Sequence, residues 1–592
     1  MGPDLGPREF RDHRKAFLCQ GLANLVRVPV RRRRPLARGC SARVLACALG
    51  TLVLVGGVGR AVAASGALRQ VAKTSHMVPM RDGVRLATDV YRPAGEEKPL
   101  PVILMRTPYS KEGGQALAQV VCRRGYALVA QDMRGRFQSE GSDAVVFHND
   151  AWATPHRDGH DTLRWIIAQP WCNGRIGTMG GSALGIVQNL MAPDAPDQLI
   201  AQYVSVAFSN MYTQAVYQGG VFRKSLLENW LRSNRFDPKN LETFRSHYKY
   251  DAFWKQLNPE EHAEGVNVAA VFHGGWYDIF LQGTINSFVA LQRRGGPRAR
   301  GNCRLVIGPW AHGNFKGLTY PPNARETPVA VDRFRFFRYW LKGVDNGVPK
   351  DKAVHYYVMG DPEQPDAPGN VWRAADRWPP PFEPLRGYFH ANGKLEMTAP
   401  TAPDADLTYR YDPLDPVPTL GGQNLNIPKG PMDQRPVESR PDVLVFTSPV
   451  LKEPVEVTGP IRARLYVSSD CPDTDFTVKL CDVYPDGRSM LLTDGILRAR
   501  FREGFDREVF LEPNRVYELE VDLWSTSLVF NRGHRIRVSV SSSNAPRFEP
   551  NPNNGQPHMG MGNPRVANNR LYVSARYPSH IVLPRYTGPK GW

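Results

Sequence analysis

The sequence predicts an α/β protein with a largely parallel sheet, followed by a separate all-β region. Three observations lead there. Up to about residue 370, short apolar runs alternate with longer amphipathic stretches, the pattern of strands and helices in turn. Beyond it, period-two segments are separated by Pro/Gly turns with hardly a helix between them. Gly and Pro are also abundant, at 53 and 51 of 592 residues, which suits a loop-rich chain better than a helical bundle.

Residues 1–64 read as an export leader. Arg31 to Arg34, with Arg38 and Arg43, precede an apolar run over 44–58, and Ala61-Val62-Ala63 supplies small residues for cleavage near Ala63 or Ala64. The run is short for a membrane span, so no stable membrane insertion is expected. The leader holds twelve Lys/Arg against three acids, a net +9 and half of the chain's +18. The remaining charge accompanies no nucleic-acid motif, so it reads as a mildly basic surface and nucleic acid is not an expected partner. Cys122, Cys172, Cys303, Cys471 and Cys481 remain after the leader. They show no metal or redox spacing and require no disulfide. Asp473 and Asp475 read as turn acids, not calcium ligands.

Residues 77–93 predict a hairpin around Asp82-Gly83. Segments 102–105, 126–129, 175–179, 268–272 and 304–307 predict buried strands, and 161–169 and 331–341 predict helices. Between 212 and 265 the chain turns aromatic, charged and helix-like, as expected of an insertion between two strands. Trp378 and the three prolines after it mark a boundary. Segments 463–467, 476–480, 516–523 and 536–541 predict the strands of a β-sandwich or jelly roll. The expected organisation is therefore leader 1–64, core 65–211, helical cap 212–265, core 266–370 and jelly-roll domain 371–592.

The stretch from Arg175 to Gly185 is the most informative about chemistry. An apolar strand enters Gly180-Gly181, then Ser182, then a helix-compatible run. A sharp strand-to-helix turn of this kind lifts a serine hydroxyl clear of a sheet, although Leu184 stands where the strict GxSxG pattern places its last glycine. A nucleophilic serine needs a base and an orienting acid, in this topology later in the chain and each just after a strand. Asp278 and His312 meet those conditions, whereas His148, His156, His160 and His273 come too early. An oxyanion hole would use the Ala183 N–H and a donor from the loop after an early strand, where Tyr109 sits with a packing role equally open to it.

These residues resemble the cocaine esterase and X-Pro dipeptidyl-peptidase group of hydrolases, the CocE/NonD family. The resemblance rests on Met80-Arg-Asp-Gly-Val84, Arg106-Thr-Pro-Tyr109, Gln131-Asp-Met-Arg-Gly-Arg136 with Ser139-Glu-Gly141, and Trp171-Cys-Asn-Gly174. It continues through the serine turn, Gly274-Gly-Trp-Tyr-Asp278, Ile307-Gly-Pro-Trp-Ala-His312, Asp433-Gln-Arg-Pro436 and Asp442-Val-Leu-Val-Phe-Thr447. It implies an α/β-hydrolase core with an inserted helical cap and a C-terminal jelly-roll (galactose-binding-like) domain. It also implies a Ser182–Asp278–His312 triad with Tyr109 and the Ala183 N–H as the oxyanion hole.

Two departures bear on substrate. Ala183 replaces the family's tyrosine after the nucleophile. Ile279, Phe280 and Leu281 stand where amino-ester hydrolases of the family carry acids, which disfavours a cationic α-amino substrate and makes Phe280 an apolar acyl contact. The expected activity is hydrolysis of small carboxylic esters through an acyl-serine, without metal or organic cofactor. The alternatives are an X-Pro dipeptidyl-peptidase or α-amino-acid ester hydrolase, and a non-catalytic glycan-binding protein. Oligomeric state is not legible in the sequence.

Overall fold

A computed structural model describes residues 70–556 and 560–589. The leader expected over 1–64 lies outside the described residues.

The N-terminal half is built on one ten-stranded sheet. A hairpin of β1 (Val71–Pro79) and β2 (Arg85–Pro93) leads into β3 (Leu100–Thr107), β4 (Ala127–Asp132), β5 (Cys172–Gly181) and β6 (Leu199–Ser205). A small separate hairpin, β7 (Tyr217–Gln218) and β8 (Val221–Phe222), precedes β9 (Ala269–Tyr277), β10 (Arg304–Ala311), β11 (Val354–Val358) and β12 (Val371–Ala375). The spatial order is β1-β2-β4-β3-β5-β6-β9-β10-β11-β12. Every pairing from β4 to β11 is parallel, and the outer strands β1, β2 and β12 pair antiparallel.

The unbroken apolar runs follow from burial on both faces. On β3, Val102 and Leu104 join one apolar cluster, while Ile103 and Met105 join the other. The first face is covered by α2 (Asp158–Ile167), α3 (Ala183–Met191) and α7 (Leu281–Arg294), through residues such as Leu163, Ile186 and Phe288. The second is covered by α1 (Gly114–Arg123) and α8 (Arg333–Lys342), through Leu117, Phe336 and Leu341. A strand covered on both sides loses its alternation and reads as a continuous apolar run. The central strand β6, Leu199–Ser205, carries Gln202 within such a run, which is why its pattern alone does not mark it.

Between β6 and β9 the chain forms a π-turn over Tyr212–Val216, the β7–β8 hairpin, and the helices α4 (Lys224–Ser233), α5 (Lys239–Ser246) and α6 (Ala252–Lys255). This insertion docks on the C-terminal region through backbone hydrogen bonds: Arg498 N–H to Gly219 O at 2.9 Å, Glu549 N–H to Phe222 O at 3.0 Å and Tyr250 N–H to Phe505 O at 2.8 Å. The C-terminal region consists of a seven-stranded and a four-stranded antiparallel sheet. Its long strands Val455–Ser469 and Tyr517–Phe530 pair with each other and alternate buried with exposed residues over part of their length.

Asp473 and Asp475 stand in and at the end of the short connection between the strands Val455–Ser469 and Asp475–Val483, and they hold buried ion pairs that a turn role alone does not imply. Both are buried, paired with Arg500 and Arg498 at 2.9 and 2.8 Å, and both accept from Asn551. Buried carboxylates of this kind persist because each is matched by a buried guanidinium. The five cysteines of the described residues are free. Among the described residues, no helix is long and apolar enough to cross a membrane.

The docking of the insertion depends on one close approach. A Cβ on Gly219, where φ is +58°, would lie 1.8 Å from the carbonyl oxygen of Ile496. Gly219→Ala is therefore expected to destabilise the protein by about 2–4 kcal/mol, through clash and backbone strain together. Denaturant unfolding measures it, and an unchanged midpoint would show that the contact is not tight.

Candidate functional site

Three strands end on three polar side chains. Ser182 directly follows β5, Asp278 follows β9 and His312 follows β10. All three strands are parallel, so their C-terminal ends lie along one edge of the sheet, where open α/β sheets place their ligand sites.

Ser182 has φ 58° and ψ −126°, a conformation that an L-residue adopts only when its surroundings force it. Its carbonyl accepts from the N–H groups of Gly185 and Ile186 at 2.8 Å each, so the turn passes directly into α3. The departure from strict GxSxG has a steric explanation. A Cβ on Gly180 would lie 2.4 Å from the Cβ of Leu184, so only one of these two positions can carry a side chain. Glycine at 180 leaves room for leucine at 184. The hydroxyl of Ser182 is held at the N-terminus of α3, where the helix dipole favours negative charge.

The sequence-predicted residues meet here. His312 Nε2 is 3.0 Å from Ser182 Oγ, and His312 Nδ1 is 2.8 Å from Asp278 Oδ2. A carboxylate oxygen accepts, so Nδ1 carries the proton and Nε2 is left to accept from the serine hydroxyl. Asp278 is fully buried, and its other oxygen accepts from the Phe280 N–H at 2.8 Å. The carboxylate is thus fixed at both oxygens. His273 is not in this relay: it stacks on Trp310 and burial pushes its pKa down to about 4, which keeps it neutral.

Tyr109 follows β3, the neighbour of β5 on the side away from β9. Its oxygen accepts from Trp230 Nε1 at 2.9 Å. Burial pushes its ionisation up to about 12, against the hydrogen bonds with Trp230 and Ser182 and the charge of Arg136, so the phenol keeps its proton. Because Trp230 occupies a lone pair of that oxygen, the phenolic proton is free to donate elsewhere. Ala183 is buried as the first residue of α3, and its N–H is among the helix donors that have no partner within the helix. Phe280 meets His312 edge-on at 5.9 Å between ring centres and Phe208 at 5.7 Å. The arrangement can activate a hydroxyl, hold a developing oxyanion and present aromatic surface to an acyl group.

Three residues that sequence reasoning did not single out shape the site. Trp230 arrives on α4 of the insertion, 121 residues from Tyr109. Arg223 is fully buried, donates to the carbonyls of Gln214 and Ile279, and lies over Trp524. Lys429, from the C-terminal region, donates to the carbonyl of His312 at 3.0 Å. None carries a local motif that separates it from a surface aromatic or cation. Arg136, which does lie in a motif quoted above, donates to the carbonyls of Pro108, Asn234 and Arg235 and so ties the Tyr109 loop to the end of α4.

Comparison with known proteins agrees with this architecture. Residues 82–239 and 228–314 match the X-Pro dipeptidyl-peptidase (S15 family) model, and residues 346–582 match the X-Pro dipeptidyl-peptidase C-terminal non-catalytic domain. A cocaine esterase of Rhodococcus sp. (strain MB1 Bresler) is 37% identical over 587 residues, an alignment covering 86% of this chain and 97% of the relative. Among solved structures, an aminopeptidase from a marine sediment archaeon, Thaumarchaeota archaeon, superposes with a TM-score of 0.74 at 26% identity, covering 88% of this chain and 97% of its own. An α-amino acid ester hydrolase gives 0.73 at 26% identity, with coverage of 88% and 98%. The chain belongs to the cocaine esterase and X-Pro dipeptidyl-peptidase (CocE/NonD) family of serine hydrolases, as an α/β-hydrolase joined to a C-terminal β-domain.

Proposed function

We propose that this enzyme hydrolyses small carboxylic esters through an acyl-serine formed on Ser182, with His312 as general base and acid and Asp278 orienting the imidazole. The reading rests on the unbroken relay from Ser182 Oγ through His312 to Asp278, with hydrogen bonds of 3.0 and 2.8 Å.

Ser182 Oγ bonds to the ester carbonyl carbon while its proton passes to His312 Nε2. The resulting oxyanion accepts from the Tyr109 hydroxyl and the Ala183 N–H. Collapse expels the alcohol, which takes the proton from His312. Water, deprotonated by the same nitrogen, then releases the acid and restores the serine. No step needs a metal or organic cofactor.

The relatives named above include an aminopeptidase and an amino-ester hydrolase, so the recognition of an α-ammonium is the discriminating question. Ile279, Phe280 and Leu281 follow Asp278, all three buried and apolar. A cation placed against them would be desolvated without a partner. Phe280 instead offers an apolar contact beside His312, which favours uncharged acyl groups.

The Arg-rich leader and its small-residue site support export, with a mature N-terminus at Ala64 or Ser65. N-terminal sequencing of protein recovered outside the cytoplasm should find one of these, and an intact Met1 there would refute cleavage.

Fluorophosphonate should label the wild type and not Ser182→Ala, and p-nitrophenyl acyl esters should be cleaved in preference to Xaa-Pro-p-nitroanilides. An unlabelled wild type would refute the serine mechanism; preference for the anilide would refute the ester assignment. Tyr109→Phe should lower kcat by about 10²–10³ with KM little changed, because the lost donor acts on the oxyanion and not on bound substrate. Full kcat in that variant would remove Tyr109 from the oxyanion hole.

A further inference from the structure

We propose that Lys429 is a positioning residue that ties the His312 loop to the C-terminal β-domain and keeps the imidazole turned towards Ser182. The proposal rests on the reading of His312 as the general base.

His312 has a long distance to cover. In the sheet order β5-β6-β9-β10 its strand is three places from that of Ser182. At about 4.8 Å per strand the two ends are roughly 14 Å apart, beyond the reach of an imidazole on a loop that simply continues its strand. The chain therefore turns back immediately: Gly313 N–H bonds to Ala311 O at 2.8 Å, making a three-residue turn with His312 at its apex. The carbonyl of an apex residue lies outside the turn's own hydrogen bond. That of His312 accepts from Lys429.

The cation comes from a rigid support. Residues 422–430 form a loop closed by reciprocal hydrogen bonds between Gly422 and Gly430, at 2.9 and 3.0 Å. Inside it, Asn424 Nδ2 donates to Gly421 O at 2.6 Å and to Pro428 O at 2.8 Å. Gln423 Nε2 reaches the carbonyl of Trp276, on the strand that ends at Asp278, at 3.4 Å. Gly430 packs so closely on Phe315 that a Cβ there would lie 2.6 Å from the ring. The C-terminal loop thus grips the segment after His312 at two points, Lys429 on the carbonyl and Gly430 on the ring of Phe315.

Both hydrogen bonds of the Lys429 ammonium go to carbonyl oxygens, of His312 at 3.0 Å and Leu425 at 2.7 Å. Burial favours its neutral form, and the charge of Asp278 opposes that. Arg223 faces Asp278 from the insertion, as does the neutral His273 from β9, and the hydroxyl of Ser182 meets His312. The bond to the His312 carbonyl fixes the main chain from which the imidazole reaches back to Ser182.

Lys429→Met keeps the length of the side chain but removes both charge and donors, whereas Lys429→Arg keeps both. Lys429→Met should lower kcat about tenfold with KM little changed, and Lys429→Arg should retain most of the wild-type kcat. A wild-type kcat in Lys429→Met, or an equal loss in Lys429→Arg, overturns the proposal. Fluorophosphonate labelling of each variant separates the two failures. An unlabelled wild type removes the serine relay itself; a labelled wild type with an unchanged kcat in Lys429→Met removes only the role of Lys429.

Discussion

The 3.0 Å contact between His312 Nε2 and Ser182 Oγ joins the ends of two strands that stand three places apart in one sheet. No short-range preference of the chain produces it. It requires a strained serine turn on β5 that raises the hydroxyl and a reversed turn after β10 that brings the imidazole back. It also requires a carboxylate at the end of β9, between them, that holds the ring by its other nitrogen. Much of the surrounding structure can be understood as what keeps those three ends in register.

The support comes from all parts of the fold. The two-sided core fixes the strands, so the elbow strain at Ser182 is opposed by many buried contacts and not by one. The helical insertion brings Trp230 to the oxygen of Tyr109, and Arg136 locks the Tyr109 loop to the end of the same helix. The C-terminal region supplies Lys429 on the carbonyl of His312, and Gln423 beside the strand of Asp278. Arg223 lies where insertion, core and β-domain meet, a buried guanidinium satisfied mainly by backbone carbonyls. A β-domain without a residue in the relay is nonetheless coupled to it through hydrogen bonds to main-chain atoms.

The electrostatics divide the site into two sides. On one, Asp278 and the imidazole form a pair in which negative charge is buried and hydrogen-bonded at both oxygens. On the other, an un-ionised phenol and the start of α3 point donors towards the serine. Around them the neighbouring side chains are aromatic, Phe280 against His312 and Trp230 against Tyr109, and the positions after Asp278 carry no charge. The site is thus furnished to stabilise a negative charge that appears during reaction, and it is poorly furnished to receive a positive one.

By itself, the sequence determined the strands that periodicity and burial make obvious, the strand-to-helix turn at Ser182, and the order serine, acid, histidine that the topology demands. These are legible because each depends on neighbours in the chain: an apolar run, a pair of glycines, a polar residue just after a strand. β6 was not legible, since a fully buried strand containing a glutamine lacks a period, and the buried ion pairs of Asp473 and Asp475 were not, because their arginine partners stand some 25 residues away. Only the tertiary structure decided that Trp230, Arg223 and Lys429 belong to the site. Each has a partner more than a hundred residues distant, an aromatic hydroxyl or a main-chain carbonyl, and a carbonyl has no signature in the residue that carries it.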